Sequence, residues 1–148
     1  MRKTSITLLA SLSVVASCTV APEPIHYGND NCAHCDMTIM DNRYGTEIVT
    51  KKGKIFKFDS VECLVEFLRK EEQGPETMKY FLFTSFDTPG ILVDATTSYV
   101  LHSKELPSPM GRFLTAFEDE ATALEFRNRF GGKILSWEKL LEEFDYLR

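Results

Sequence analysis

The densest chemistry in the chain lies in Cys32-Ala33-His34-Cys35-Asp36-Met37-Thr38-Ile39-Met40, where thiols, thioethers and an imidazole crowd one short segment. Thiolate and thioether donors together select Cu(I) over harder ions. Thr38-Ile39-Met40 reads as the start of a strand. If the extended backbone already holds at Cys35, then Cys35 and Met37 fall on one face and can clasp a single ion. A thioether carries no proton, so this mixed pair binds with less pH sensitivity than two thiols would. Two such donors leave a soft monovalent ion under-coordinated and exchangeable, which suits delivery better than storage. In this reading His34 is a spacer, and Met40, alternating away, belongs to the core.

Other chemistries fit the same Cys32-x-x-Cys35 pair: a plain disulfide, a redox dithiol, or half of a zinc site. Zinc would need Cys63 or His102 to complete its shell, because the sequence holds no second pair at zinc-finger spacing. A thioredoxin-like dithiol should follow a strand and open a helix, whereas this pair follows a segment rich in Pro, Gly and Asn and leads into Thr-Ile-Met-Asp.

The compartment bears on that choice. Arg2 and Lys3 precede an apolar run from Ile6 to Ala16, with no acidic residue before Glu23. Residues 1–17 therefore read as a signal peptide, too short in its apolar part to remain as a membrane span. Val15-Ala16-Ser17-Cys18 resembles the bacterial lipobox, which makes Cys18 the lipidated mature N-terminus, and residues 18–31 read as a lipidated tether. The expected location is the cell envelope, lipid-anchored and facing the periplasm. The outer membrane is favoured because Thr19 is not the aspartate that resembles an inner-membrane retention signal. With Cys18 acylated, Cys32, Cys35 and Cys63 remain, an odd number in an oxidising compartment. At least one thiol then has no intramolecular disulfide partner and needs burial, a metal or a reducing partner. Loss of Arg2 and Lys3 with the signal peptide moves the formal charge from −5 to −7, and an acidic chain without a basic groove is a poor binder of nucleic acid.

Residues 32–148 are long enough for one core or two fused halves, here about 32–87 and 88–148. Tyr44–Thr50 and Lys54–Phe58 read as strands around a Lys-Lys-Gly turn, with Phe56 and Phe58 on one face. Ser60 caps a helix with the stripe Val61, Leu64, Val65, Leu68, ended by Gly74-Pro75. Lys79–Ser85 is a third strand. The second half offers strands at 91–94, 98–101 and 112–117, a helix from Asp119 closed by Gly131-Gly132, and a strand over 133–137. Phe58-Asp59 and Phe67 echo Phe117-Glu118 and Phe126 at an offset of 59 residues. The plan is α+β, two ββαβ units packed together, with a C-terminal helix from Glu138 to about Tyr146.

Cys32-x-x-Cys35-x-Met37, Phe58-Asp59-Ser60-x-x-Cys63, Pro109-Met110-Gly111, Ala116-Phe117 and Gly131-Gly132 before Ile134-Leu135-x-Trp137 together resemble the NosL family, over about Asn31 to Trp137. The resemblance implies a Cu(I)-binding lipoprotein, not an enzyme, that acts as a copper chaperone for nitrous oxide reductase or its assembly factors. It also implies a fold of two ββαβ units related to organomercurial lyase. Carried over, the family's Cys-x-Met ligand pair falls on Cys35 and Met37, with Cys32 beside it. Met110 is a candidate donor or wall of the site, and His102 lies where a third ligand would fall. Cys63 matches a recurring family cysteine, although its neighbours Val61, Leu64 and Phe67 equally suit a packing thiol. Asp36 stands where family members commonly have glycine, which restricts the loop if its backbone needs positive φ.

Overall fold

The computed structural model describes residues 19–70 and 74–147. The Lys51–Gly53 turn folds β1 (Thr46–Thr50) antiparallel onto β2 (Ile55–Phe58), with Ile48 opposite Phe56 and Thr46 opposite Phe58. The chain enters α1 (Val61–Lys70) through Ser60, whose Oγ accepts the Cys63 amide at 3.4 Å. A short 3-10 turn at Pro75–Thr77 leads into β3 (Met78–Thr84), which pairs with the free side of β1. β1 is therefore the central strand of its unit.

β4 (Leu92–Asp94) pairs with β3 and extends the first sheet to the order β2-β1-β3-β4. The sequence places this segment in the second half, and the structure moves it to the first sheet. The break at Thr88-Pro89-Gly90 is a tight reversal, with the Ile91 amide on the Thr88 carbonyl at 3.1 Å and the Ser85 amide on the Ile91 carbonyl at 3.2 Å. That reversal returns the strand to its own predecessor.

The second unit repeats the plan of the first. β5 (Tyr99–His102) lies between β6 (Leu114–Phe117) and β7 (Lys133–Ser136), both antiparallel to it, and α2 (Glu120–Phe130) connects the last two. Asp119 caps α2 by accepting the Thr122 amide at 2.9 Å. Gly131 and Gly132 end α2 at positive φ, and a Cβ on Gly132 would meet the His102 carbonyl oxygen at 2.2 Å. Trp137 opens α3 (Trp137–Glu143) instead of closing β7, because Ser136 caps the helix by accepting the Lys139 amide. The helix then tightens into a 3-10 turn at Phe144–Tyr146.

The layers follow from which faces are apolar. Phe56 and Phe58 turn toward α1, where Phe67 meets their rings at 4.7 and 5.0 Å. The other side of α1 packs into the same core as Val100, Leu114, Ala116 and Leu135 of the second sheet. Leu140 and Phe144 join that core, and Trp137 stacks near Phe81 and Phe83. Helices α1 and α3 thus fill the space between the sheets. On the far face of the second sheet, α2 covers a smaller core of Leu101, Leu106, Phe117 and Ala123.

The outer face of the first sheet is covered by the segment expected to be a tether. Lys79 Nζ donates to the Val20 carbonyl at 2.9 Å, the Glu23 amide donates to Glu47 Oε1 at 3.1 Å, and Lys57 Nζ donates to the Pro24 carbonyl at 2.8 Å. Ile25 is buried, and Tyr27 hydrogen-bonds Thr84. From Val20 onward the chain is therefore a strap docked along the sheet. Cys18 lies outside the described residues. Among those described, no helix is long and apolar enough to cross a membrane.

Candidate metal centre

The strap ends in a closed loop. Asn31 bridges Thr38, the Cys32 amide donates to the Met37 carbonyl at 2.8 Å, and the Asp36 amide returns to the Cys32 carbonyl at 2.9 Å. Closure requires Asp36 at φ 63°, the left-handed region that aspartate tolerates better than most residues. Extended backbone therefore does not reach back to Cys35, and parity along the segment fails. Ile39 is fully buried while Met37, of the same parity, is 54% exposed. Met40, expected in the core, is exposed for the same reason. The Cys-x-x-Cys pair sits in this loop and opens no helix, unlike a thioredoxin-type dithiol.

A hydrogen bond donated by the Ala33 amide to the Lys57 carbonyl, 2.8 Å, seats the loop at the end of β2, directly before the turn into α1. Cys63, in the first turn of that helix, comes within reach of it. The sulfurs of Cys32, Cys35 and Cys63 all lie within 4.8 Å of one another, and Cys35 Sγ is 3.8 Å from Cys63 Sγ. Thiolate–metal bonds of about 2.3 Å put sulfurs around one ion about 4 Å apart, so little movement is needed to bind. No other His, Cys, Asp or Glu joins this group among the described residues. Three sulfurs without a fourth such donor suit a low-coordinate soft ion better than tetrahedral zinc. Local sequence does not distinguish Cys63 from a packing residue. Its place in the first turn of a capped helix, with an odd thiol count, is the signal that identifies it.

The three thiols share their protons unequally. Cys32 is lowered to about 5, first by the Cys63 thiol donating to it and then by the backbone N–H groups of Cys35, Asp59 and His34, against the effect of burial. Cys63 is pushed up because it supplies that hydrogen bond, and burial adds to the shift. Burial also raises Cys35, partly offset by the Met37 amide. The three thiols titrate as one coupled set, in which the hydrogen bonds from Cys63 and the backbone amides favour loss of the first proton at Cys32.

A cleft of about 300 Å³ beside Cys63 is lined by His34, Glu62, Glu66, Lys70, Met110 and Arg112. Met110 thus forms a wall of the opening, 38% exposed, and Arg112 is held there by its ion pair with Glu66 at 2.8 Å. Glu62 is buried, with one oxygen bonded to the Ser108 hydroxyl and the other unpartnered. Behind the thiols Asp59 is buried, and burial followed by the Cys32 charge lifts its carboxyl above the usual range. His102, expected as a third donor, stands at the end of β5, opposite Leu114 and Lys133 in register. Its imidazole is held down by burial and then by Lys104 and Lys133, and it is not among the donors gathered at the thiols.

The crystal structure of the copper chaperone NosL from Shewanella denitrificans shares this architecture, with TM-score 0.70 and 19% sequence identity over 82% of this chain and 96% of that one. At that identity the likeness establishes the fold: two antiparallel sheets with helices between and outside them. No curated protein sequence matches significantly. The family model for NosL matches residues 25–144, which takes in the strap from Ile25, the thiol loop, both ββαβ units and α3, and the chain belongs to the NosL family.

Proposed function

We propose that this protein is an extracytoplasmic lipoprotein that binds Cu(I) and carries it to an acceptor, nitrous oxide reductase or one of its assembly factors. The convergence of Cys32, Cys35 and Cys63 within 4.8 Å carries this reading, with the exposed Met37 two residues beyond Cys35 in the same loop. The ion rides on Cys35 and Met37, with Cys63 as the further sulfur and Met110 at the mouth of the cleft; Cys35 is the one thiolate of the loaded site, and Cys32 keeps or takes up its proton. One thiolate is matched by one monovalent charge, so the loaded site is neutral and its partial burial costs little. A divalent ion would require a second deprotonation beside the buried carboxyls of Asp59 and Glu62.

Release follows from the same arrangement. Met37 is exposed and Cys35 half-buried, so an incoming thiolate or imidazole of the acceptor can bond to the ion before the deeper sulfurs let go. This is ligand exchange, and the protein acts as a carrier rather than an enzyme. Lipid attachment at Cys18, with the outer membrane favoured by Thr19, keeps the carrier at the envelope. The test is an anaerobic Cu(I) competition titration of the mature protein. Cys35→Ser should abolish tight binding and Met37→Ala should weaken it. Binding unchanged in both variants would remove the assignment.

A further inference from the structure

The described part of the strap begins close to the proposed lipid site. Val20, two residues on, lies against the β1–β2 turn: a Cβ on Gly53 would stand 3.6 Å from the Val20 side chain, and Lys79 Nζ holds the Val20 carbonyl at 2.9 Å. The same place concentrates positive charge. Lys51, Lys52 and Lys54 surround the turn and Lys79 flanks it, all four exposed. The ammonium of Lys54 lies 4.4 Å from the Phe56 ring centroid and that of Lys79 lies 5.0 Å from that of Tyr80, so apolar surface backs the charges. Among the described residues a single acid, Glu76, joins Lys51, Lys52 and Lys54 in lining the adjacent cleft of about 440 Å³. In a chain of net charge −5, the described residues here reverse the sign locally, close to the proposed anchor.

We infer that the lysine turn is a docking surface for the anionic headgroups of the membrane that holds the lipid. This rests on the lipid attachment proposed above. An anionic bilayer attracts a lysine within a Debye length by about 1 kcal/mol, while more distant acids of the same protein are screened. The lipid provides retention, and the lysines provide orientation. From Lys54 the strand β2 runs directly away to Asp59 and the thiol loop, five residues or about 17 Å. Seating the turn on the bilayer points the metal centre into the aqueous compartment, where a soluble acceptor can reach Met37.

Lysine acetylation footprinting of the mature lipidated protein tests this, on vesicles of phosphatidylcholine alone and on vesicles that also contain phosphatidylglycerol. On the anionic vesicles Lys51, Lys52, Lys54 and Lys79 should react at least about fivefold more slowly than on the neutral ones. Lys104, Lys133 and Lys139 of the second unit should not change. In the variant Lys51→Glu/Lys52→Glu/Lys54→Glu, Lys79 should return to its neutral-vesicle rate while the protein still floats with the vesicles. Equal rates on both vesicles, or protection of the second unit instead, would overturn the inference and leave the anchor standing. Failure to float with either vesicle would overturn the anchor and this inference together. Protection that needs no vesicle and rises with protein concentration would assign the patch to a second copy of the acidic chain, and would equally overturn it.

Discussion

The two ββαβ units share a plan down to their helix caps, yet one carries the thiol centre and the other carries none. In each, a phenylalanine ends the second strand and meets a phenylalanine of the following helix: Phe58 with Phe67 at 5.0 Å, Phe117 with Phe126 at 4.7 Å. In each, a side chain before the helix accepts the amide three residues on, Ser60 from Cys63 and Asp119 from Thr122. The difference is the layer that each helix occupies. Helix α1 lies between the two sheets and buries Val61, Glu62, Cys63, Leu64, Val65 and Phe67, whereas α2 lies outside and buries only Ala123. An inner helix brings its first turn, with the positive end of its dipole, into the interior beside the strap loop. The outer helix leaves the equivalent Thr122 at the surface.

This comparison predicts its own largest break. Cys63→Ser removes a sulfur from the centre and should weaken Cu(I) binding about a thousandfold, on the order of 4 kcal/mol, the share of one donor in a tight thiolate site. Thr122→Ser, a small change that installs the same side chain at the matching position of α2, should leave binding unaltered. Both are read by anaerobic competition with a chromophoric Cu(I) chelator. Equal effects would mean that Cys63 acts through the fold alone.

The aromatic pairs give a second contrast, in stability. Phe67 is 8% exposed in the main core, so Phe67→Ala should cost about 3–4 kcal/mol through lost burial and the cavity left behind. Phe126 packs against the smaller cluster and is half-buried, so Phe126→Ala should cost about half as much. Urea unfolding midpoints of the two variants measure the difference. Equal losses would contradict the inner and outer assignment of the helices.

Much of the architecture was legible in the sequence because it rests on local periodicity. Alternation around Lys51–Gly53, the stripe of α1 and the echo between Phe58 and Phe117 all reappear as β1–β2, α1 and the two units. The features that were not legible depend on layer order, which no local pattern encodes. Cys63 carries the same signature whether it packs or ligates, and becomes a ligand candidate only because α1 lies inside. Residues 20–30 have tether composition, yet the outer face of the first sheet offers Glu47, Lys57 and Lys79 as partners for their backbone. The Cys35–Met37 face presumed an extended chain, and one residue at φ 63° removed that premise. Cys35 and Met37 nonetheless remain adjacent in the loop. The thiol cluster takes in Cys35 and adds Cys63 to it, and Met37 as a donor belongs to the proposal.

The smallest contrast concerns the central strands. Aligned through their partners, Thr46 opposite Phe58 and Tyr99 opposite Phe117, the second residues of β1 and β5 are Glu47 and Val100. Val100 faces the main core, but Glu47 faces the strap, where it accepts the Glu23 amide and leaves Oε2 buried without a partner. Burial lifts the Glu47 carboxyl to about 7, aided by Glu23 and Asp30 and opposed by the Glu23 amide and Lys57. The folded state therefore holds this proton more tightly than the unfolded chain, whose value is 4.5. Its contribution to stability is fully present below 4.5 and is lost as pH rises to about 7. Glu47→Gln keeps the acceptor for the Glu23 amide without the charge. Above pH 7 the variant should exceed the wild type by about 2 kcal/mol, with the advantage fading as pH falls through that window. Subtracting the two stability curves, each from urea unfolding of the metal-free protein, isolates Glu47 from the opposing titration of Cys32, which is common to both. A difference that stays flat between pH 4.5 and 7 would mean that the strap leaves Glu47 in contact with water, and that the outer face of the first sheet is less closed than its hydrogen bonds imply.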